Sequence, residues 1–207
     1  MNSFDLYFIT DRGLSKNGII EDVRQAIRGG VKIVQYREKE FPTRRMVEEA
    51  CAIRKLCSGS KVIFIVNDRV DVALASGADG VHIGPNDMDY GTARKILGPG
   101  KIIGVTASSV EDAKRFEELG ADYVGLSPIF ATGTKKDAGK PVGVEIIRQA
   151  RASLKIPFTA IGGINPDNIE DVLDAGAKSV CMISAIMKDD VENEVRNARR
   201  IMNEHAA

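Results

Sequence analysis

The sequence predicts a (β/α)8 barrel, the TIM barrel of the α/β class, and a repeated segment is the first observation behind this prediction. Four segments start 43 to 56 residues apart and run from glycine into apolar, β-branched residues: 29–35, 77–83, 120–126 and 176–182. Each is typical of a helix end, a glycine cap and a strand. Because their spacing is about twice that of one βα unit, we interpret them as alternate units of a longer series.

Intervening strands are the second observation. Short apolar runs, rich in β-branched residues as strands buried on both faces are, lie between the repeats at 6–10, 62–67, 102–106 and 158–164. Helical patterns are the third, in chain order 19–29, 42–57, 69–77, 90–97, 109–119, 143–154, 166–175 and 189–204. Phe41-Pro42-Thr43 and Asn165-Pro166 are helix openings with a polar cap or proline.

Eight strands alternating with eight helices, without a linker, predict a single barrel domain over residues 1–207. An open doubly wound sheet is the alternative. That fold has GxGxxG after its first strand, and the motif is absent here.

Composition favours a small-molecule partner. Lys plus Arg and Asp plus Glu number 29 each, so no overall field attracts nucleic acid or an anionic membrane. Cys51, Cys57 and Cys181 form no zinc pattern and are expected to be free thiols in a reducing cytosol. No apolar run approaches the roughly 18 residues that span a bilayer. We expect a soluble cytoplasmic protein, and its oligomeric state stays open, a homo-oligomer included.

The second strand is predicted to end in residues that bind an anion. In a barrel, functional residues lie where strands end and the following loops begin. Gln35, Arg37 and Lys39 share the two-residue period of a strand and so face one way. Two cations held this close favour a polyanionic ligand. The alternative is a solvated strand end in which Glu38 and Glu40 pair with neighbouring charges.

The loop after the sixth strand is a second candidate anion site. Gly133 allows a close backbone approach, Thr132 and Thr134 can donate to phosphate oxygens, and Lys135 adds a compact positive charge. A solvated, lysine-rich surface loop is the alternative.

Two carboxylates are predicted to hold Mg²⁺. Asp68 and Asp87 follow the third and fourth strands, which are neighbours in a barrel. Mg²⁺ usually takes one or two carboxylates and completes its octahedron with water and phosphate oxygens. The competing interpretation is helix capping, by Asp68 near Arg69 and by Asp87 or Asp89 near Tyr90.

The segment 162–166 has two glycines before a predicted helix start, which favours a phosphate held by backbone N–H groups. Barrels often place a phosphate after strands seven and eight. Ser184, at the end of the eighth strand, would add a hydroxyl. A tight turn without a ligand is the alternative, and we assign no role to His82 or His205.

Several motifs together resemble the thiamine phosphate synthase family. They span residues 6 to 186 in order: Tyr7-Phe8-Ile9-Thr10-Asp11, Gln35-Tyr36-Arg37-Glu38-Lys39, Asn67-Asp68, Val81-His82-Ile83-Gly84, the segment 127–135, the segment 160–164 and Ser184-Ala185-Ile186. The resemblance implies transfer of a hydroxymethylpyrimidine group from its diphosphate to the nitrogen of a thiazole phosphate. The products are thiamine monophosphate and pyrophosphate, with Mg²⁺ as cofactor.

The resemblance also implies residue roles. The pyrimidine diphosphate would contact the segment Gln35, Tyr36, Arg37, Glu38 and Lys39, together with Asn67, Thr106 and Lys135. Asp68 and Asp87 would hold Mg²⁺. The thiazole phosphate would contact Thr132, Gly133, Thr134, Gly163, Ile183 and Ser184. Diphosphate departure comes first in this family, so the catalytic residues Arg37, Lys39 and Lys135 would stabilise the leaving group.

Two positions depart from the family pattern. Pro85 stands where the family usually has a glutamine. Ala107-Ser108-Ser109 lacks the histidine expected of related thiazole tautomerases. A tautomerase-like paralogue, another phosphate-binding barrel isomerase and a non-catalytic phospholigand-binding barrel remain the alternatives.

Overall fold

The computed structural model describes residues 5–134 and 139–205. Eight parallel strands close into a barrel in the order β1-β2-β3-β4-β5-β6-β7-β8. The strands are β1 Asp5–Ile9, β2 Ile33–Tyr36, β3 Ile63–Asn67, β4 Gly80–Ile83, β5 Ile102–Ala107, β6 Tyr123–Leu126, β7 Phe158–Ile161 and β8 Ser179–Met182. The helices are α1 Ile19–Gly29, α2 Thr43–Ser60, α3 Val70–Ser76, α4 Tyr90–Leu97, α5 Val110–Leu119, α6 Glu145–Ser153, α7 Ile169–Asp174 and α8 Val191–His205. The predicted (β/α)8 barrel is confirmed.

Alternation along the strands divides the apolar residues into two cores. In β1, Leu6 and Phe8 belong to the large core between sheet and helices, whereas Tyr7 and Ile9 belong to a smaller core inside the barrel. Successive side chains of a strand point to opposite faces, which explains this division. The interior core is the smaller of the two, and its buried members are Tyr7, Ile9, Ile33, Tyr123 and Cys181.

The predicted glycine caps are present after three helices. Gly30, Gly77 and Gly120 are left-handed C-caps of α1, α3 and α5, and each donates its amide to the last helical turn. Pro42 is the N-cap residue of α2, as the Phe41-Pro42-Thr43 pattern predicted.

The seventh unit differs from the prediction at both boundaries. β7 ends at Ile161 rather than at residue 164, because Gly162 and Gly163 adopt φ values of 106° and 65° that no strand tolerates. The helix opening predicted at Asn165-Pro166 is wrong: α7 begins at Ile169. A polar turn precedes it, in which Asn165 N donates to Asn168 Oδ1 at 2.9 Å.

Gly104 leaves room for an aromatic ring inside the barrel. A Cβ added at Gly104 would lie 2.0 Å from Cζ of Tyr123, whose side chain is fully buried. Because that ring cannot move aside, we expect Gly104→Ala to cost about 3 kcal/mol of unfolding free energy, or about 9 °C in melting temperature. Thermal unfolding monitored by circular dichroism would measure the loss.

Gly59→Ala is the matched control. Gly59 lies inside α2, and a Cβ there would meet nothing within 4 Å. Alanine is favoured over glycine in a helix, so this variant should be about 0.5–1 kcal/mol more stable than the wild type. Equal melting temperatures for the two variants would contradict a steric role for Gly104.

Cys51, Cys57 and Cys181 are free, as expected, and burial raises the pKa of the Cys57 thiol to about 12. Within the described parts of the chain, no helix combines the length and the apolar character needed to cross a bilayer.

Candidate active site

A pocket opens at the end of the barrel where the strands terminate. It is bordered by residues that follow or end every strand from β2 to β8, with Tyr7 and Ile9 of β1 at its floor. This is the end at which the sequence placed the functional residues. Of the predicted site residues, those that border it are Gln35, Arg37, Lys39, Asn67, Asp68, Asp87, Thr106, Thr132, Thr134, Gly163, Ile183 and Ser184.

The end of β2 places two cations in the pocket, each paired with a carboxylate. Arg37 Nη1 donates to Asp11 Oδ2 at 2.7 Å, and Lys39 Nζ donates to Asp68 Oδ2. The Arg37 side chain is 17% exposed, whereas that of Lys39 is 49% exposed. Each positive charge is therefore balanced by an acid from a neighbouring strand end. An incoming anion would compete with those acids.

Tyr36 and Glu38 lie outside the pocket, so the structure does not bring them to a ligand there. The Tyr36 hydroxyl donates to Glu49 Oε2 of α2 at 2.7 Å. Glu38 accepts from Arg12 and from the backbone N–H of Glu40, and this pairing holds the pKa of its carboxyl below the usual range against the effect of burial. Both residues occupy the alternate positions of the strand end, which face the helices.

Asp68 projects from a tight, left-handed backbone. Its φ is 61°, and Arg69 N donates to Asn67 O at 2.7 Å, which makes Asp68 the central residue of a γ-turn. The Asp68 amide is anchored to His82 O of the next strand at 2.8 Å. No side chain caps α3, so the capping interpretation of Asp68 is wrong.

Asp87 lies next to Asp68 and shares its pocket. Burial raises the pKa of the Asp87 carboxyl above its usual range, and contact with the Asp68 carboxyl raises it further. The Gly84 N–H, which donates to Asp87 Oδ2 at 2.8 Å, opposes the rise. Asp89, not Asp87, caps α4, because its Oδ1 accepts from Thr92 N at 3.0 Å.

The Asp68–Asp87 pair fits a magnesium ion by its donor chemistry. Two carboxylates forced together in a partly buried place are relieved by a divalent cation, and Mg²⁺ needs no more than one or two of them. A richer cluster of three or more His, Cys, Asp or Glu side chains does not occur within residues 5–134 and 139–205.

The opposite side of the barrel carries hydroxyl groups and glycines. Thr132 and Thr134 follow β6, Gly162 and Gly163 follow β7, and Ser184 follows β8. The glycines pack against the β6 loop, since a Cβ on Gly163 would lie 2.5 Å from Ala131 O. The helix that follows these glycines starts at Ile169 rather than at the predicted residue 166, so its N-terminus is six residues from Gly163.

Gly133 and Lys135 are not among the residues shown to border the pocket. Gly133 is exposed and does not border the pocket. Lys135, predicted to be catalytic, lies outside the described residues.

A chain of polar side chains at the pocket floor joins the predicted residues Gln35 and Thr106 through Tyr7, Tyr123 and His82, to which the sequence assigned no role. Gln35 Nε2 donates to the Tyr7 hydroxyl at 2.6 Å, and the Tyr7 and Tyr123 hydroxyls are 2.8 Å apart. His82 then bonds Tyr123 through Nδ1 and Thr106 through Nε2, at 2.9 Å each. Desolvation raises the pKa of both tyrosines well above the usual range, so they stay neutral. The missed signal is a polar residue at an inward position of a buried strand.

Comparison with known proteins finds relatives in the family that the sequence motifs resemble. Residues 6–186 match the family model described as thiamine monophosphate synthase. The chain is 53% identical to the thiamine-phosphate synthase of Methanosarcina barkeri over 95% of this chain and 89% of that protein. It is 51% identical to the thiamine-phosphate synthase of Methanosarcina mazei, over 99% and 85%.

A solved structure agrees with the sequence relatives. Thiamine phosphate pyrophosphorylase from Pyrococcus furiosus superimposes with a TM-score of 0.91 and 41% identity, covering 100% of this chain and 98% of that one. The matched segment contains the pocket cations Arg37 and Lys39, the Asp68–Asp87 pair and the threonines that follow β6. The chain belongs to the thiamine monophosphate synthase family.

Proposed function

We propose that this protein is a thiamine-phosphate synthase of the cytoplasm. It would join hydroxymethylpyrimidine diphosphate to thiazole phosphate and release thiamine monophosphate and pyrophosphate. The single observation that carries this proposal is the content of one pocket: Arg37 and Lys39 beside the Asp68–Asp87 pair, with the hydroxyl groups of Thr132, Thr134 and Ser184 across the barrel. Two separate anion-binding regions in one pocket suit two phosphorylated substrates.

The diphosphate belongs on the side of β2 to β4. There Arg37 offers a planar guanidinium and Lys39 a compact charge, and Asn67 adds an amide. Asp68 and Asp87 would hold Mg²⁺, which when bound neutralises the charge that develops on the departing diphosphate. Gln35 and Thr106, at the floor, would contact the pyrimidine end of the same substrate.

The thiazole phosphate belongs on the side of β6 to β8. Thr132, Thr134 and Ser184 supply hydroxyl donors, and Gly163 lets the backbone approach a phosphate. Ile183 gives this side an apolar surface against which a thiazole ring can pack. Lys135 remains a predicted contributor of positive charge.

The reaction needs leaving-group stabilisation rather than proton transfer. The bond between the pyrimidine methylene carbon and the diphosphate oxygen breaks, and the electron pair leaves with the diphosphate. The lone pair of the thiazole nitrogen then forms the new carbon–nitrogen bond, which makes that nitrogen positively charged. Arg37 and Lys39 would bind the diphosphate oxygens as negative charge develops on them.

The test is pyrophosphate release with both substrates and Mg²⁺, omitting each component in turn. We expect release only when all three are present, with thiamine monophosphate formed in equal amount. Release without one of the organic substrates, or conversion of a thiazole phosphate alone, would contradict the synthase. Ligand-dependent thermal stabilisation without any turnover would instead support a non-catalytic phosphate-binding barrel.

A further inference from the structure

The loops after β1 and β2 are joined residue by residue. The Arg37 amide donates to Thr10 Oγ1 at 2.9 Å, the Arg37 guanidinium donates to Asp11, and Arg12 donates to Glu38. The Arg12 and Glu38 side chains do not border the pocket. Asp11 is therefore the acid of the β1 loop that acts on a pocket cation, although its own carboxylate does not border the pocket.

The Asp11–Arg37 pair is well shielded from water. The two side chains are 14% and 17% exposed, and their contact is 2.7 Å. The Asp11 carbonyl also accepts from the amides of Leu14 and Ser15, at 3.2 and 3.1 Å, so its backbone is held in a turn. A carboxylate fixed in this way restricts the guanidinium far more than the flexible arginine stem would alone.

Resting on the proposed function, we infer that Asp11 is a positioning residue for Arg37 in the transfer reaction. One guanidinium nitrogen donates to Asp11, which leaves the other donors of the planar fork for a ligand in the pocket that Arg37 borders. The diphosphate would meet donors that are already oriented, so Arg37 need not reorganise as charge develops on the leaving group.

Asp11 has two opposing effects on how Arg37 interacts with an anion, one from its negative charge and one from its orienting hydrogen bond. The charge lowers the attraction of Arg37 for an anion in the ground state, while the hydrogen bond fixes the geometry needed in the transition state. Loss of Asp11 should therefore lower kcat and leave diphosphate affinity almost unchanged, because a freed Arg37 still reaches the anion but holds it in many poses.

A double-mutant cycle tests this inference. We expect Asp11→Ala to lower kcat between about tenfold and 100-fold, and Asp11→Asn, which keeps an acceptor oxygen, to retain most of the rate. In the Arg37→Ala background the Asp11→Ala change should have almost no further effect, because Asp11 acts through Arg37. Binding of inorganic diphosphate, measured by calorimetry, should change less than about threefold in Asp11→Ala.

Glu145→Gln, which breaks an exposed pair with Arg148 on α6, is the matched control and should leave every measurement unchanged. If Asp11→Ala lowered kcat by the same factor in the wild type and in the Arg37→Ala variant, the two residues would act independently. That result would overturn the inference and assign Asp11 a role in general stability. So would an unchanged kcat in Asp11→Ala. Failure of the wild type to release pyrophosphate would instead reject the proposed function, whereas a loss of diphosphate affinity in Asp11→Ala as large as its loss of kcat would reject the positioning role alone.

Discussion

Replacing Arg37 with alanine is expected to lower kcat by about 100-fold or more, because a single preorganised donor to a developing negative charge contributes roughly 3 kcal/mol. The stability loss should be smaller. Asp11 would lose its partner in a place where it is 14% exposed, which we expect to cost about 2 kcal/mol, or about 6 °C in melting temperature. Steady-state kinetics and thermal unfolding on the same preparations would separate the two effects.

Two further variants make this test specific. Arg37→Lys keeps the charge but loses the planar fork, so its kcat should fall between those of the wild type and Arg37→Ala. Arg148→Ala removes an arginine from the exposed pair with Glu145 and should change neither rate nor stability by more than about 0.5 kcal/mol. A wild-type rate in Arg37→Ala would remove Arg37 from the catalytic residues.

Strand alternation made much of the pocket predictable. Gln35, Arg37 and Lys39 border one pocket as the two-residue period predicted, and Tyr36 faces away for the same reason. The exposure of these side chains differs along the strand end, since Gln35 is buried at the floor while Lys39 is half exposed at the rim.

Other features depend on contacts between distant segments. Asp11 and Arg37 lie 26 residues apart in the sequence, and the pairing of β1 with β2 brings them within hydrogen-bonding distance, but the choice of Asp11 as the partner of the Arg37 guanidinium depends on side-chain packing. The polar floor has the same origin, since Tyr7 and Tyr123 come from strands on different sides of the barrel. At residues 162–169, Asn165-Pro166 does not open a helix, because side-chain hydrogen bonds of Asn165 and Asn168 stabilise a turn there instead.

Asp68→Asn is expected to raise the Mg²⁺ concentration for half-maximal rate by about tenfold or more, because one of the two carboxylates that we propose to hold the ion loses its charge. The fold should survive the change. Asparagine tolerates the left-handed backbone at this position, and Lys39, being 49% exposed, can be solvated when its partner is neutral. A Mg²⁺ titration of the initial rate at fixed substrate would measure the shift.

The same variant should move the pH dependence of the Mg²⁺ requirement. In the wild type, burial and Asp68 raise the pKa of Asp87, so protons compete with the cation at pH values above the usual aspartate range of about 4. As pH falls through that raised pKa, Asp87 is protonated and more Mg²⁺ is needed. Without the charge on Asp68, the pKa of Asp87 should fall, and the rise in Mg²⁺ requirement should begin at lower pH.

Asp89→Asn is the control that distinguishes ligation from general charge. It removes a carboxylate two residues from Asp87, while asparagine remains a good cap for α4. Its Mg²⁺ curve should match that of the wild type at every pH. If Asp89→Asn and Asp68→Asn shifted the curve equally, the effect would arise from the net charge around the pocket, and Asp68 would not be a ligand. If only Asp68→Asn shifted it, the specific pairing of Asp68 with Asp87 would be the cause.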